Sequence, residues 1–319
     1  MTPRSQSSAT AFAPATVANV AVGFDCLGFA LEGIGDRVTC TRTTHVGKVE
    51  IGTIQGPGGL PMKLPNIAGT NTATAGLVAL LERTKAPFGL KVDILKGIPL
   101  GSGMGGSAAS AVAGIVAANA LFPTPLEEHR LLKYALIGEA VASGSKHGDN
   151  VYPSLLGGMV LVTSVEPPGY VRIPVPKGLY AVVVHPPLMV ETKAARAMLK
   201  ADVPLKLHSQ QSARLAAFVA GCFRSELPLI QQSLVDTLIE PQRASLIQGF
   251  KQVQAAALGA GALGCSISGA GPAVFALAHN EQVGAIAAAM VRAFEAAGVR
   301  GARAYESIVT APGAKVVDG

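Results

Sequence analysis

The chain has 319 residues and a formal net charge of +6, and charged side chains make up only 14% of it. Average soluble domains carry about 25% charged residues, so the charged fraction of this chain is low. Together with the 49% hydrophobic content, this excludes a disordered chain. The length suits one large domain or two moderate ones. Because the basic residues are scattered and tryptophan is absent, we expect no nucleic-acid partner.

In chain order, the first half predicts strands at 36–42 and 90–96 and helices at 71–83, 107–121 and 126–142. The second half predicts strands at 179–184, 273–278 and 304–310 and helices at 192–200, 209–223, 241–258 and 282–297. A cluster of turn residues at 166–169 separates predicted domains at 1–165 and 166–319. Strands that alternate apolar and polar side chains do not suit a sheet covered on both faces, so the predicted class is α+β.

The sequence also bears on the location of the protein. The apolar stretch 108–122 is interrupted by polar residues and is shorter than the ~20 residues that span a bilayer, so we expect no membrane segment. The four cysteines show no metal-ligand spacing, which favours free thiols in a cytoplasmic protein. Residues 1–11 faintly resemble a transit peptide, but an organised segment begins at Phe12, and we expect no cleavage.

A strand, a loop with four glycines and an alanine-rich helix follow one another between residues 90 and 121. Glycines let the backbone approach a ligand closely, and the free N–H groups and dipole at a helix start favour phosphate. A Walker A loop needs a lysine after its last glycine, but Ser107 follows Gly106, which excludes that motif. A Rossmann dehydrogenase stays a weak alternative, because 101–106 fits G-x-G-x-x-G but 259–264 fits it equally. A tight turn without a ligand is the other alternative.

Three segments resemble the GHMP kinases, the superfamily of galacto-, homoserine, mevalonate and phosphomevalonate kinases, in the superfamily's usual order. They are 14–28, the loop Pro-Leu-Gly-Ser-Gly-Met-Gly-Gly-Ser-Ala-Ala-Ser at 99–110, and 266–275. The resemblance implies an α+β fold of two domains, a ribosomal S5 domain 2-like N-terminal domain and a ferredoxin-like C-terminal domain, with ATP between them and Mg²⁺ as the metal.

Segments 14–19, 23–25 and 147–150 most resemble the homoserine branch of this superfamily. That likeness implies L-homoserine as the substrate, O-phospho-L-homoserine as the product and threonine synthesis as the context, with a homodimer as the candidate assembly. The alternatives are another GHMP kinase that acts on a sugar or a mevalonate-like acid, and a non-catalytic regulator that keeps the fold.

The resemblance also implies roles for individual residues. Those implied to bind ATP are Pro99, Leu100, Gly101, Ser102, Gly103, Met104, Gly105, Gly106, Ser107, Ala108 and Ala109. Those implied to bind the substrate are Asn19, Asp25, His147, Arg196, Arg243 and Gly271. Glu139 and Ser107 are the implied Mg²⁺ ligands. The superfamily loop usually ends Gly-Ser-Ser, so at Gly106 this chain lacks a hydroxyl, and Ser107 or a water takes over that contact.

The implied catalytic residues are Asp25, Glu139 and Asn150. Sugar and mevalonate kinases of the superfamily commonly place an aspartate base near the position of Asn150, and an asparagine cannot accept the proton. The resemblance therefore implies that the substrate hydroxyl passes its proton directly to the γ-phosphate, since positioning and charge neutralisation supply most of the catalysis in phosphoryl transfer. Asp149 is the alternative base, one residue away.

Overall fold

A computed structural model describes residues 7–317, so the first six residues of the segment 1–11 lie outside the described residues. The strands are β1 (Ser8–Ala18), β2 (Leu27–Thr43), β3 (Val49–Gln55), β4 (Gly89–Leu95), β5 (Met159–Val165), β6 (Pro168–Ile173), β7 (Leu179–His185), β8 (Gly264–Ile267), β9 (Val274–His279), β10 (Arg303–Ile308) and β11 (Lys315–Val317). The α-helices are α1 (Thr72–Thr84), α2 (Gly106–Asn119), α3 (Glu128–Ser143), α4 (Gly148–Leu156), α5 (Thr192–Ala197), α6 (Leu205–Arg224), α7 (Leu227–Ser233), α8 (Glu240–Arg243), α9 (Phe250–Gly259) and α10 (Val283–Ala296).

The first sheet has the strand order β11-β1-β2-β4-β3, and β5 pairs with β2 and with β6. Helix α2 packs on β1 and β2, where small side chains make close approach possible. Ala9, Ala11 and Ala13 point inward from β1 and are all buried. In β1 the buried positions hold alanine and the half-buried ones hold Ser8, Thr10 and Phe12, so the apolar pattern did not predict this strand.

The second sheet has the antiparallel order β10-β7-β9-β8. With α9 before β8 and α10 between β9 and β10, this is the βαββαβ order of ferredoxin-like domains, which confirms that prediction. Both faces of this sheet are covered. Ala181 and Val183 of β7 join the core of the first sheet, whereas Val182 and Val184 pack with the core under α9 and α10.

Two predicted boundaries differ from the structure. The turn at 166–169, predicted to end the first domain, joins β5 to β6, and both strands belong to the first sheet. Proline and glycine mark a hairpin turn as readily as a linker, and only strand pairing separates the two. The predicted helix 241–258 is interrupted: the short helix α8 ends at Arg243, and Gly249, with φ 81°, precedes the start of α9 at Phe250.

Helix α4 was not predicted, because Pro153 lies inside it and proline usually interrupts a helix. Within residues 7–317, no helix combines the length and apolar character that a membrane span needs. All four cysteines are free thiols, as predicted.

Candidate active site

A cavity of about 360 Å³ opens at the start of α2. Gly105 precedes the helix with φ 67°, and no side chain caps the first turn, so the N–H groups there are open to a ligand. Of the predicted ATP-binding residues, those that line the cavity are Pro99, Leu100, Gly101, Ser102, Gly103, Gly105, Gly106 and Ser107. Met104, Ala108 and Ala109 are fully buried beneath it and build the floor of the loop.

The loop conformation requires glycine at two positions in particular. At Gly103, φ is 77° and a Cβ atom would lie 2.6 Å from the carbonyl oxygen of Ser268. At Gly105, a Cβ atom would lie 2.1 Å from the hydroxyl of Thr16. The Ser268 hydroxyl also donates a hydrogen bond to the Gly103 carbonyl at 2.7 Å. The two glycine-rich segments of the sequence therefore pack directly against each other.

A buried ion pair supports the loop from below. The ammonium of Lys96 pairs with Asp36 and donates to the carbonyl of Gly106 at 2.6 Å and to the hydroxyl of Ser110 at 2.8 Å. Ser110 in turn donates to Asp36 at 2.7 Å. The sequence correctly excluded a Walker lysine, yet it gave no sign that the lysine at the end of β4 would lie under the helix start.

Glu139 and Ser107 line the same cavity. The Glu139 side chain is buried, and its Oε2 atom has no hydrogen-bond partner among residues 7–317. Burial raises the Glu139 pKa to about 7, and the carboxylate of Asp149 adds to this, while the Ser107 hydroxyl and Lys96 lower it. An unpartnered carboxylate oxygen beside a hydroxyl, with room for waters, fits Mg²⁺.

A second group of predicted residues meets beside this cavity. The guanidinium of Arg196 holds Asp25 in a bidentate pair, with nitrogen–oxygen distances of 2.7 and 3.0 Å. His147 Nδ1 lies 3.7 Å from an Asp25 oxygen. The guanidinium carbons of Arg196 and Arg243 each lie 5.3 Å from the centre of the Phe24 ring. The structure thus brings together one carboxylate and two guanidinium groups around one aromatic ring.

Asn19 and Arg243 share a single backbone acceptor. The Asn19 amide and the Arg243 guanidinium donate to the carbonyl of Gly269 at 2.9 and 3.1 Å. The Asn19 oxygen accepts from the Asp25 N–H at 3.1 Å. Gly269 also lines the large cavity, whereas a Cβ atom at the predicted substrate residue Gly271 would meet Ile247. Gly269 is therefore the residue of this segment that links the two parts of the site.

Asn150 lies where the two parts meet. It lines the large cavity, and its side-chain oxygen accepts a hydrogen bond from the Thr16 hydroxyl at 2.7 Å. The preceding residue, Asp149, is buried, and burial together with Asp25 raises its pKa to about 7, while Arg196 lowers it. A carboxyl group with that pKa can exchange a proton near neutral pH.

The charges of the pocket depend on burial as well as on pairing. Burial and the nearby Arg196 lower the Arg243 pKa, and the carboxylates of Asp25, Asp149 and Asp236 oppose this. Burial lowers the His147 pKa, which favours the neutral imidazole. The pocket therefore combines one cationic fork paired with Asp25 and a second, Arg243, that donates to the backbone carbonyls of Ala195 and Gly269.

Sequence reasoning missed Phe24, Thr16 and the Lys96–Asp36 pair. Phe24 and Thr16 lie inside segments that carried the family resemblance, but their contacts join residues more than 100 positions apart, so only the fold reveals them.

Comparison with known proteins settles the family. Residues 71–158 match the N-terminal domain of GHMP kinases, and residues 215–296 match the GHMP kinase C-terminal domain. The homoserine kinase of Xylella fastidiosa (strain M12) is 48% identical over 310 residues, which are 97% of this chain and 94% of that protein. The chain belongs to the homoserine kinase family of GHMP kinases. The predicted family and fold class are confirmed.

Other relatives agree. The homoserine kinase of Chlorobium phaeovibrioides is 43% identical over 297 residues, 90% of this chain and 92% of that protein. The crystal structure of homoserine kinase from Cytophaga hutchinsonii superposes with a TM-score of 0.93 at 43% identity and covers 98% of both chains. The crystal structure of L. major mevalonate kinase superposes with a TM-score of 0.68 at 17% identity and covers 96% of this chain and 98% of that one, a likeness that shows the fold alone.

Proposed function

We propose that this protein transfers the γ-phosphoryl group of ATP to the hydroxyl of L-homoserine, giving O-phospho-L-homoserine and ADP in threonine synthesis. The observation that carries the proposal is the bidentate Asp25–Arg196 pair, with Arg243 beside it, next to an uncapped helix start. An amino acid with a hydroxyl needs an anion, a cationic fork and a nearby phosphoryl donor, and the site offers all three.

The charges of the substrate match the pocket. The ammonium group of homoserine pairs with Asp25, and its carboxylate with the guanidinium groups of Arg196 and Arg243. Asn19 holds Asp25 and the Gly269 carbonyl in place, and His147 closes the side of the pocket at Asp25. Arg196 and Asp25 pair with each other in the structure. A zwitterion adds a cation for Asp25 and an anion for Arg196 and Arg243, so each of these groups faces an opposite charge.

The nucleotide occupies the large cavity, with its phosphates at the N–H groups of the loop and of the start of α2. Glu139 and Ser107 hold Mg²⁺, which when bound neutralises charge on the phosphate oxygens. The positions of these two residues and the unpartnered Glu139 oxygen support this pairing.

Asn150 positions the substrate hydroxyl, and Thr16 fixes the orientation of its amide. The hydroxyl oxygen forms the new bond to the γ-phosphorus, the bond from that phosphorus to the bridging oxygen of ADP breaks, and the hydroxyl proton passes to an oxygen of the transferred group. Asp149 is the alternative proton acceptor. A cytoplasmic location and a homodimer stay predictions of the sequence.

A sugar or mevalonate-like acceptor is the competing substrate class, but neither carries an ammonium group that requires Asp25. The test is ADP release with ATP and Mg²⁺ across L-homoserine, mevalonate, galactose and shikimate. We expect turnover with homoserine alone, and a Glu139→Gln variant that needs about tenfold more Mg²⁺ for half-maximal rate. Preferred turnover of another acceptor contradicts the substrate, and an unchanged Mg²⁺ requirement contradicts the metal ligand.

A further inference from the structure

The segment that carries Asn19 and Asp25 has an unusual backbone. Asn19, Val20, Ala21 and Asp25 have φ angles of 70°, 42°, 59° and 59°, all in the left-handed region. Residues other than glycine rarely adopt this backbone conformation, and a β-branched residue such as Val20 does so least readily. Conformations of this kind persist only where surrounding contacts hold them. The Asn19–Asp25 segment therefore needs anchors outside itself.

One anchor is Gln211, on α6, a helix that carries none of the predicted site residues. Its side chain is buried, with 7% exposure. The amide nitrogen donates to the carbonyl of Val22, inside the Asn19–Asp25 segment, at 3.4 Å and to Asp236 at 3.1 Å. The amide oxygen accepts from the Thr237 N–H at 3.2 Å. Gln211 thus connects two separate segments.

The second segment is the turn that leads to Arg243. Asp236, which is 9% exposed, accepts from the N–H groups of Leu238 at 2.8 Å, Ile239 at 3.0 Å and Glu240 at 2.8 Å. These bonds fix the chain at the start of α8, the helix that ends at Arg243. A small cavity of about 10 Å³ is lined by Asn19, Asp236 and Arg243 among others. The connected segments therefore meet beside the predicted substrate residues, which form the acceptor pocket: Asn19, Asp25, His147, Arg196 and Arg243.

We propose that Gln211 and Asp236 are positioning residues for the amino-acid substrate. Their hydrogen bonds set the separation between Asp25, which binds the ammonium group, and Arg243, which binds the carboxylate. Neither residue lines the ATP cavity. The proposal rests on the proposed function, because it assumes that Asp25 and Arg243 bind the ammonium and the carboxylate of the same substrate molecule.

The test is Gln211→Met, which keeps the length and volume of the side chain and removes its hydrogen bonds. The matched control is Gln210→Met, on the same helix at an exposed position. We expect Gln211→Met to raise the Kd for L-homoserine about 10- to 100-fold, because small misplacements of binding groups have effects of that size. The KM for ATP and kcat at saturating homoserine should stay within about threefold of wild type. The control should match wild type in all three.

Asp236→Asn provides a second test that keeps the size of the side chain and its Oδ1 acceptor. We expect a smaller increase in the homoserine Kd, and a Gln211→Met/Asp236→Asn double variant whose increase is less than the product of the two. A homoserine Kd within threefold of wild type in both single variants overturns the proposal. So does a parallel loss of ATP and homoserine affinity, which indicates general loosening. A wild-type protein that binds no homoserine in the same titration contradicts the proposed function, so the two failures differ.

Discussion

The ATP loop and the acceptor pocket are built in different ways. The loop is one continuous stretch of sequence, residues 99–107, whose backbone supplies the N–H groups. The acceptor pocket takes its side chains from widely separated places: Asn19 and Asp25, His147, Arg196, and Arg243. Arg196 and Arg243 both lie in the long connection between β7 and β8, where the ferredoxin-like order needs only one helix.

This difference explains what each region tolerates. The loop depends on backbone conformation, so substitutions that add a Cβ atom should damage ATP binding. The pocket depends on charge pairs between distant segments, so loss of one side chain should damage acceptor binding while ATP binding is kept. The following predictions test that separation, beginning with the largest expected effect.

Asp25→Ala should weaken L-homoserine binding by about a hundredfold or more, because it leaves Arg196 without its bidentate partner and the substrate ammonium without an anion. The KM for ATP should change by less than about threefold. Calorimetric titration with homoserine and steady-state kinetics with ATP measure the two effects. Asp202→Ala, at an exposed position, is the matched control. Equal losses of both affinities would contradict the separation.

Gly103→Ala should instead weaken ATP binding. A Cβ atom there would lie within 2.7 Å of the carbonyl oxygens of Ser268 and Gly271, at a φ of 77°. We expect the KM for ATP to rise about tenfold or more and stability to fall by about 1–3 kcal/mol. Gly284→Ala, in α10 with nothing within 4 Å of the new atom, is the control and should leave the kinetics unchanged. Unaltered ATP kinetics in Gly103→Ala would show that the loop is not the phosphate site.

Asp149→Asn tests which group accepts the proton of the substrate hydroxyl, the γ-phosphate or Asp149. If the γ-phosphate accepts it, this variant should keep turnover within about tenfold of wild type, since a general base supplies 10²–10⁴-fold. Rapid-quench measurement of a single turnover separates chemistry from product release. Loss of all phosphoryl transfer with homoserine binding intact would instead identify Asp149 as the base.

The same substitution tests how burial changes the protonation of Asp149. Because the Asp149 pKa is raised from 3.8 to about 7 in the folded protein, the folded state holds a proton that the unfolded chain releases. Its contribution to the free energy of unfolding is therefore fully present below pH ~4 and is lost as the pH rises to ~7.

Denaturant unfolding between pH 4 and 8, without nucleotide or Mg²⁺, measures this loss. We expect the wild-type free energy of unfolding to fall by up to about 1 kcal/mol per pH unit more than that of Asp149→Asn in this window, and the difference to be constant above pH ~7. Parallel curves for the two proteins would show that the Asp149 pKa is not raised.

Gly106→Ser should have the smallest effect. The new Cβ atom would lie 3.3 Å from Ile98 and 3.5 Å from the Lys96 ammonium, a tight but tolerable space, and would restore the Gly-Ser-Ser ending of the superfamily loop. We expect kcat within about threefold of wild type and a slightly lower Mg²⁺ requirement, measured by Mg²⁺ titration of the rate. A large loss of activity would show that this chain has adapted to glycine at the position.

Several elements were predictable because their signals are local. Helices α1, α2 and α10 and strands β4, β7 and β9 lie within two residues of their predicted bounds, since periodic apolar patterns and the glycine-rich loop are contained in each segment. Strands β1, β3, β5, β6, β8 and β11 were not predicted. The inward-facing side chains of β1 at 9, 11 and 13 are alanines, which give a weak apolar signal, and β11 is three residues long and pairs with β1.

For the candidate site, the sequence by itself determined the kinase family. It also predicted a phosphate loop and a set of residues for one amino-acid substrate, because these lie in short motifs that resemble known kinases. The tertiary structure decided what those residues contact. Four contacts join parts of the chain that only packing brings together. They are Phe24 with two guanidinium groups, Thr16 with Asn150, Lys96 with the loop, and Gln211 with two segments. Such contacts leave no local pattern, because each depends on where two distant backbones meet.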